Sequence, residues 1–131
     1  MKFRYKKYGP GVFRPVIPID ISYLGRTLTY EVLVDSGADM CIFDAQIGEI
    51  LGIDIKKGQK SFVGGITGKD ETYYIHEVKI AVGGWPFEIP VGFLPQMADL
   101  SYGVVGQKGF FDNFVVKFDL LKQEIELKPR T

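Results

Sequence analysis

Apolar and polar residues alternate with a period of two along most of this chain, the spacing of strands with one covered face. In "FRPVIPIDISYL", Phe13 to Leu24, residues Ile17, Ile19, Ile21 and Tyr23 fall on one side and Val16, Pro18, Asp20 and Ser22 on the other. A Gly25-Arg26 turn then leads into "LTYEVLVD" as the returning strand. Its end, Val32-Leu33-Val34, is continuously apolar and predicts cover on both faces. At Phe43, Ile47, Ile50 and Leu51 the apolar spacing becomes helical, which predicts a helix of roughly two or three turns with Asp44 as its cap. "KSFVGGITGKDETYYIHEVKIAVGG" reads as two strands around a tip where Gly64, Gly65 and Gly68 allow positive φ. After a Gly83-Gly84 turn, "WPFEIPVGFLP" is the next strand and "YGVVG" a short buried one. "QKGFFDNF" can hold a brief helix, and "FVVKFD" and "QEIELK" close the chain as a hairpin. The expected fold is mostly β, with one or two short helices and no repeat, linker or low-complexity segment.

At 131 residues the chain is expected to form a single domain over 1–131, large enough to bury about two-thirds of its unfolded surface without staples. Sixteen basic residues balance sixteen acidic ones, so the charge excess of a nucleic-acid binder is absent. The segment "MKFRYKKYGP" is locally basic and reads as a solvated, frayed end. One cysteine, Cys41, cannot form an internal disulfide, and with His76 as the one histidine no Cys-His metal set can be built. Cys41 is expected to be a small buried apolar residue, and His76 a surface or satisfied one. Trp85, Phe87, Phe110, Phe111 and Phe114 are core candidates. No apolar run approaches the roughly 18 residues of a membrane span, and Arg4, Lys6 and Lys7 interrupt any signal-like start. A cytoplasmic, soluble protein without nucleic-acid or membrane partners is expected.

"VLVDSGADMCIF" (Val32 to Phe43) ends a buried strand on Asp35, Ser36 and Gly37, with a second carboxylate at Asp39. A plain turn is one reading, since turns use these residues. An active site is the other, because a carboxylate at the mouth of a buried strand sits where its acidity can be tuned. A serine nucleophile would need a base and a G-x-S-x-G elbow, which the chain lacks. Gly64, Gly65 and Gly68 make neither G-x-G-x-x-G nor a P-loop, which removes the nucleotide reading. Carboxylate chemistry remains. Two carboxyl groups about 3 Å apart share a proton, so one accepts from water while the other donates to a carbonyl. That chemistry needs two matched aspartates and no metal or cofactor. This chain has one such turn, and a second copy across a two-fold axis would supply the other.

The same stretch resembles the active-site loop of retropepsin-like aspartic proteases, the retroviral type that works as a homodimer. The family pattern is a hydrophobic strand, Asp-Thr/Ser-Gly-Ala and a polar or acidic residue, and Val32 to Asp39 fits it. The family's second landmark is a hydrophobic pair followed by glycine and a short helix. "YGVVGQKGFFDNFVVKFD" is similar to it, with Val104-Val105-Gly106 as the landmark, about seventy residues after Asp35, and Gln107 to Asn113 as the helix. Between the two, Gly64 to Gly68 stands in the place of the flap that closes over a bound peptide. The resemblance spans roughly Ile17 to Leu127.

It implies a closed β-barrel-like acid-protease domain, homodimeric, acting on polypeptides. Asp35 would be catalytic, one from each subunit, and Ser36 would brace the partner's loop. Gly37, Ala38 and Asp39 would meet the bound peptide from below, and Gly65, Ile66 and Thr67 from the flap. Val105 and Gly106 would support the dyad from behind. The sequence departs from the family at three points. Ser36 replaces the commoner threonine, Met40-Cys41 stand where smaller or polar residues are frequent, and Gln107 stands where retroviral members often carry arginine. Neither terminus obviously matches the strands that join retroviral dimers. A peptide-binding or assembly module that keeps this fold without turnover is the alternative reading.

Overall fold

A computed structural model describes residues 1–64, 70–95, 97 and 101–130. The strands are β1 (Lys2–Arg4), β2 (Lys6–Gly9), β3 (Val12–Arg14), β4 (Val16–Tyr23), β5 (Arg26–Val34), β6 (Cys41–Asp44), β7 (Gln59–Gly64), β8 (Asp70–Val82), β9 (Trp85–Leu94), β10 (Gly103–Val105), β11 (Phe114–Asp119) and β12 (Glu124–Pro129). One helix, α1 (Ala45–Ile50), and a 3-10 turn at Ile55–Lys57 complete the described elements. The large sheet runs β4-β5-β10-β6-β9-β8-β7, and a further β4–β8 pairing rolls its first six strands into a barrel. β10 runs parallel to β5 and antiparallel to β6, while β6 runs parallel to β9. A smaller sheet, β1-β12-β11, and a β2–β3 hairpin stand beside the barrel.

The period-two pattern does what it predicts. In β4, Ile17, Ile19 and Ile21 are buried while Pro18 and Asp20 face solvent. Each such aliphatic side chain withdrawn from water contributes about 1.5–3 kcal/mol, and the barrel interior collects Val32, Val34, Phe43, Ile80, Ile89, Val91 and Phe93. Phe110 and Phe114 plug the end under the small sheet, Phe114 stacking edge-on against Phe87 at 5.1 Å between ring centres. The β4–β5 turn falls on Leu24-Gly25, one residue earlier than the sequence suggests. Both residues have positive φ, 45° and 83°, the backbone of a tight hairpin turn whose twist suits the strands it joins. Pro15 breaks the expected Phe13–Leu24 strand into β3 and β4.

Other expectations are corrected. The amino-terminal segment is not frayed: β1 pairs with β12, and the Met1 amino group donates to Leu127 O at 2.9 Å. Gln107 to Asn113 is a series of turns rather than a helix. Gly109 has a φ of 96°, its N–H donates to Asp112 Oδ1, and Asn113 Nδ2 donates to Gly109 O. These side chains compete for the groups a helix would need. In α1 the Asp44 cap forms as expected, accepting from the Gln46 N–H at 3.0 Å. The helix is shorter than expected, however, and buries Ala45 and Gly48, leaving Ile50 exposed. Gly48 is what lets it lie on the barrel, since a Cβ there would come within 2.6 Å of Ile55 Cδ1 and 3.0 Å of Phe93. Leu33 is half-buried, so β5 is covered on one face more than the other, and Trp85, expected in the core, is exposed at the start of β9.

Candidate active site

β5 carries Val34 into the barrel's edge, and the next residue, Asp35, leaves the sheet half-buried. Both sides of that strand end are held. The Val34 N–H donates to Pro15 O at 3.0 Å, and the Asp35 N–H donates to Val105 O at 3.0 Å. The chain then turns back on itself, with the Ala38 N–H donating to Asp35 O at 3.2 Å. Inside this turn the Gly37 N–H donates to Asp35 Oδ1 at 2.8 Å, which fixes the carboxyl rotamer. Among the described residues no other donor reaches that carboxyl. A Cβ on Gly37 would stand 3.2 Å from the same oxygen, so glycine gives the carboxylate its room.

The segment after β10 sutures the loop from behind. Gln107 N–H donates to Ala38 O at 2.8 Å and Lys108 N–H to Asp39 O at 2.9 Å, and Met40 and Lys108 form a parallel bridge. Gly106 crosses so close that a Cβ there would lie 2.5 Å from Ala38 O and 2.6 Å from Met40 O. Val105 is fully buried beneath. Asp35, Ser36, Gly37, Ala38, Asp39, Val105 and Gly106 are therefore brought together in one knot of backbone. Ser36, Gly37 and Asp39 lie on its exposed outer side. Gly65, Ile66 and Thr67 lie outside the described residues. The strands leading to them pair as expected of a hairpin, down to Gly64 opposite Asp70.

Two contributors were not legible in the sequence. The Gln107 side chain turns inward to its own chain, with Nε2 donating to Ser36 O at 2.7 Å. Nothing in the local pattern signals that contact. Cys41 is buried as expected, and its Sγ also accepts from the Gly106 N–H at 3.5 Å and donates to Lys108 O at 3.6 Å. Burial pushes its thiol up to about 11, so it stays protonated as a packing residue. His76 is satisfied through a 2.8 Å contact to Ile55 O. An open polar groove lined by Tyr23, Thr27, Glu77 and Lys79 lies at the start of β5. It is about 25 Å of extended strand away from Asp35 and plays no part in this site.

Compared with known proteins, residues 19–108 match the family described as aspartyl protease. The chain belongs to the aspartyl protease family. Asp35, Gly106 and the strands that join them all fall inside the matched span. Among solved structures, the chain is similar to a retropepsin-like aspartic protease from Rickettsia conorii. That match has a TM-score of 0.68 at 16% identity and covers 97% of this chain and 89% of the other. It is also similar to EIAV protease complexed with the inhibitor HBY-793, with a TM-score of 0.50 at 21% identity, covering 72% and 82%. At such identities the likeness is one of fold, and the fold is retropepsin-like. A comparison with curated protein sequences gives no match. Among the described residues no helix is long and apolar enough to cross a membrane.

Proposed function

We propose that two copies of this chain assemble one peptidase site, each contributing Asp35, and that the site hydrolyses peptide bonds in a polypeptide. The observation that carries this reading is the Asp35 carboxyl itself. It is presented at an open strand end, with one oxygen pinned by Gly37, once per chain of an aspartyl protease family member. Two such carboxyls about 3 Å apart hold one proton between them. The ionised one takes a proton from a water as its oxygen attacks the peptide carbonyl carbon. The protonated one gives its proton to the carbonyl oxygen. Collapse of the tetrahedral adduct breaks the C–N bond, and the amine leaves with the proton taken from water.

The remaining roles follow from position. The Gly37 backbone and Asp39 would meet the peptide on the floor of the cleft, with Ala38 small enough to admit it. Gly65, Ile66 and Thr67 would close over it, and the Ser36 hydroxyl would brace the partner's loop. Val105 and Gly106 hold each loop from behind.

The test is digestion of a peptide library by wild type and Asp35→Asn in parallel at mildly acidic pH. Cleavage by wild type alone is expected, because the amide is nearly isosteric but cannot share the proton. Equal cleavage by both overturns the assignment of Asp35. Tight peptide binding by both with no cleavage by either favours the non-catalytic binding module.

A further inference from the structure

No acid occurs between Met1 and Ile19, while Lys2, Arg4, Lys6, Lys7 and Arg14 do, in a chain whose charges balance overall. Three of these cations belong to the β2–β3 hairpin, whose strands pair Lys6 with Arg14 and Lys7 with Phe13. The hairpin is part of neither the barrel nor the small sheet. It is nevertheless moored, and to both strands that carry the Asp35 knot. Lys6 pairs with Glu31 of β5, and Arg14 Nη1 donates to the hydroxyl of Tyr102, just before β10, at 3.0 Å. Tyr8 completes the mooring. Its ring lies edge-on to Tyr102 at 5.4 Å between ring centres, with the Arg14 guanidinium 5.2 Å from its centre.

The mooring fixes where the hairpin stands. In β5, Val32 and Val34 point into the barrel, so Glu31 and Leu33 point out, and Asp35 takes the next outward position of that period. Lys6 meets Glu31 on this same side. Pro15 O accepts the Val34 N–H, which places Arg14 one residue and Phe13 two residues beyond the last link to the strand that ends at Asp35. At about 3.3 Å per residue, Phe13 and the Lys7 opposite it lie roughly 7 Å of strand from that link. Since Lys6 and Tyr8 turn towards the barrel, the strand period turns Lys7 away from it, and Lys7 and Phe13 are exposed. Lys6 and Glu31 answer each other, but among the described residues no acid pairs with Lys7 or Arg14.

We propose that this hairpin selects the substrate. Lys7, backed by the positive charge of Arg14, holds a carboxylate side chain of the bound polypeptide roughly two to four residues from the scissile bond, so the favoured substrates carry an acidic residue beside the cut. This rests on reading Asp35 as the centre of a peptidase site, and it names what that site takes. An extended peptide crossing Asp35 also advances about 3.3 Å per residue, so a lysine at this distance meets side chains outside those next to the scissile bond. Phe13, 37% exposed, offers an apolar shelf to the methylenes of the acidic side chain.

The experiment uses three labelled decapeptide pools, randomised among apolar residues at the centre and carrying Glu, Ala or Lys at the third position on each side of it. Binding is read by fluorescence anisotropy on the Asp35→Asn chain, which holds peptide without consuming it, and cleavage is read on wild type. The Glu pool is expected to bind roughly tenfold more tightly than the Lys pool at low salt, with the ratio falling towards one at roughly 0.5 M salt. Adding Lys7→Glu should reverse the order, so that the Lys pool binds better than it does to the unsubstituted hairpin. A misfolded chain cannot produce that gain. Lys79→Glu makes the same charge change about 25 Å of strand from Asp35 and should leave the preference in place. Equal binding of the three pools, or a preference that survives Lys7→Glu, overturns the hairpin's role and leaves the Asp35 reading standing. Preferred binding of the Glu pool with no cleavage of any pool by wild type supports the hairpin and overturns the peptidase reading. Pools that are neither bound nor cut overturn both.

Discussion

Gly106→Ala probes the knot on which the site is built. The added Cβ would sit 2.5 Å from Ala38 O, 2.6 Å from Met40 O and 2.9 Å from the Ala38 carbonyl carbon. All three are backbone atoms of the catalytic loop and cannot swing aside as a side-chain terminus does. Relief requires the loop to move away from Gly106 by more than half an ångström, on the order of 0.7 Å for an ordinary carbon–oxygen contact. That motion stretches the Gln107 N–Ala38 O bond from 2.8 Å and the Lys108 N–Asp39 O bond from 2.9 Å. Two weakened hydrogen bonds cost about 1 kcal/mol each. The residual overpacking adds about 1–3 kcal/mol. A loss of about 3–5 kcal/mol lowers the melting temperature of a domain this size by roughly 10–15 °C. Gly48→Ala is the matched control. Its Cβ also collides, at 2.6 Å, but with the terminal Cδ1 of Ile55, and alanine returns about 1 kcal/mol of helix propensity. Calorimetry of both variants with a peptide-cleavage assay decides the point. Gly106→Ala should melt well below Gly48→Ala and lose cleavage even at temperatures where it remains folded. A Gly106→Ala protein that melts no lower than Gly48→Ala and cleaves normally would refute the suture as a support for Asp35.

Cys41 makes stability depend on alkaline pH. Its folded-state value is raised from the ordinary 9.0 to about 11, chiefly by burial, so the unfolded chain loses the proton first and stability drains away as pH rises between those values. About 2–3 kcal/mol is at stake, and the stability difference between wild type and Cys41→Ala should shrink by that amount from pH 8 to 11; a constant difference would contradict it. Gln107→Ala removes an exposed donor to Ser36 O, so unfolding free energy should fall by only about 1 kcal/mol. Turnover, measured as kcat, should fall by roughly tenfold with KM little changed, because the bond positions the loop rather than the peptide; equal loss in KM would point to a substrate contact instead.

The barrel was legible because its strands advertise themselves locally. Ile17, Ile19 and Ile21 alternate with polar residues, and the period survives folding intact. What escaped was non-local or decided by side chains. β1 has three residues, too few to show a period, and its partner β12 begins at Glu124, at the other end of the chain. A brief helix over Gln107 to Asn113 is expected from its place after Val104-Val105-Gly106, yet Gly109 at positive φ and the Asp112 and Asn113 side chains divert the backbone into turns. Ile47 and Ile50 outweigh Gly48 in hydrophobicity, but the surface α1 meets already holds Phe93 and Ile55, so the smallest residue faces inward. In the candidate site, Asp35 to Asp39 and Val105-Gly106 could be named from their motifs, and the structure brings them into contact. The Gln107 bond to Ser36 O could not be named, since it depends on where two segments 71 residues apart happen to cross.

The central claim, that one working site needs an Asp35 from each of two chains, is tested most directly by mixing. Wild type at fixed concentration is equilibrated with increasing Asp35→Asn chain, and the initial rate of peptide cleavage is followed. If chains associate at random, an equal amount of the variant converts half of the wild-type chains into inactive mixed pairs, and the rate falls to roughly half, then further with excess. A rate that stays constant however much Asp35→Asn is added would mean that each chain carries its whole site, and would contradict the account.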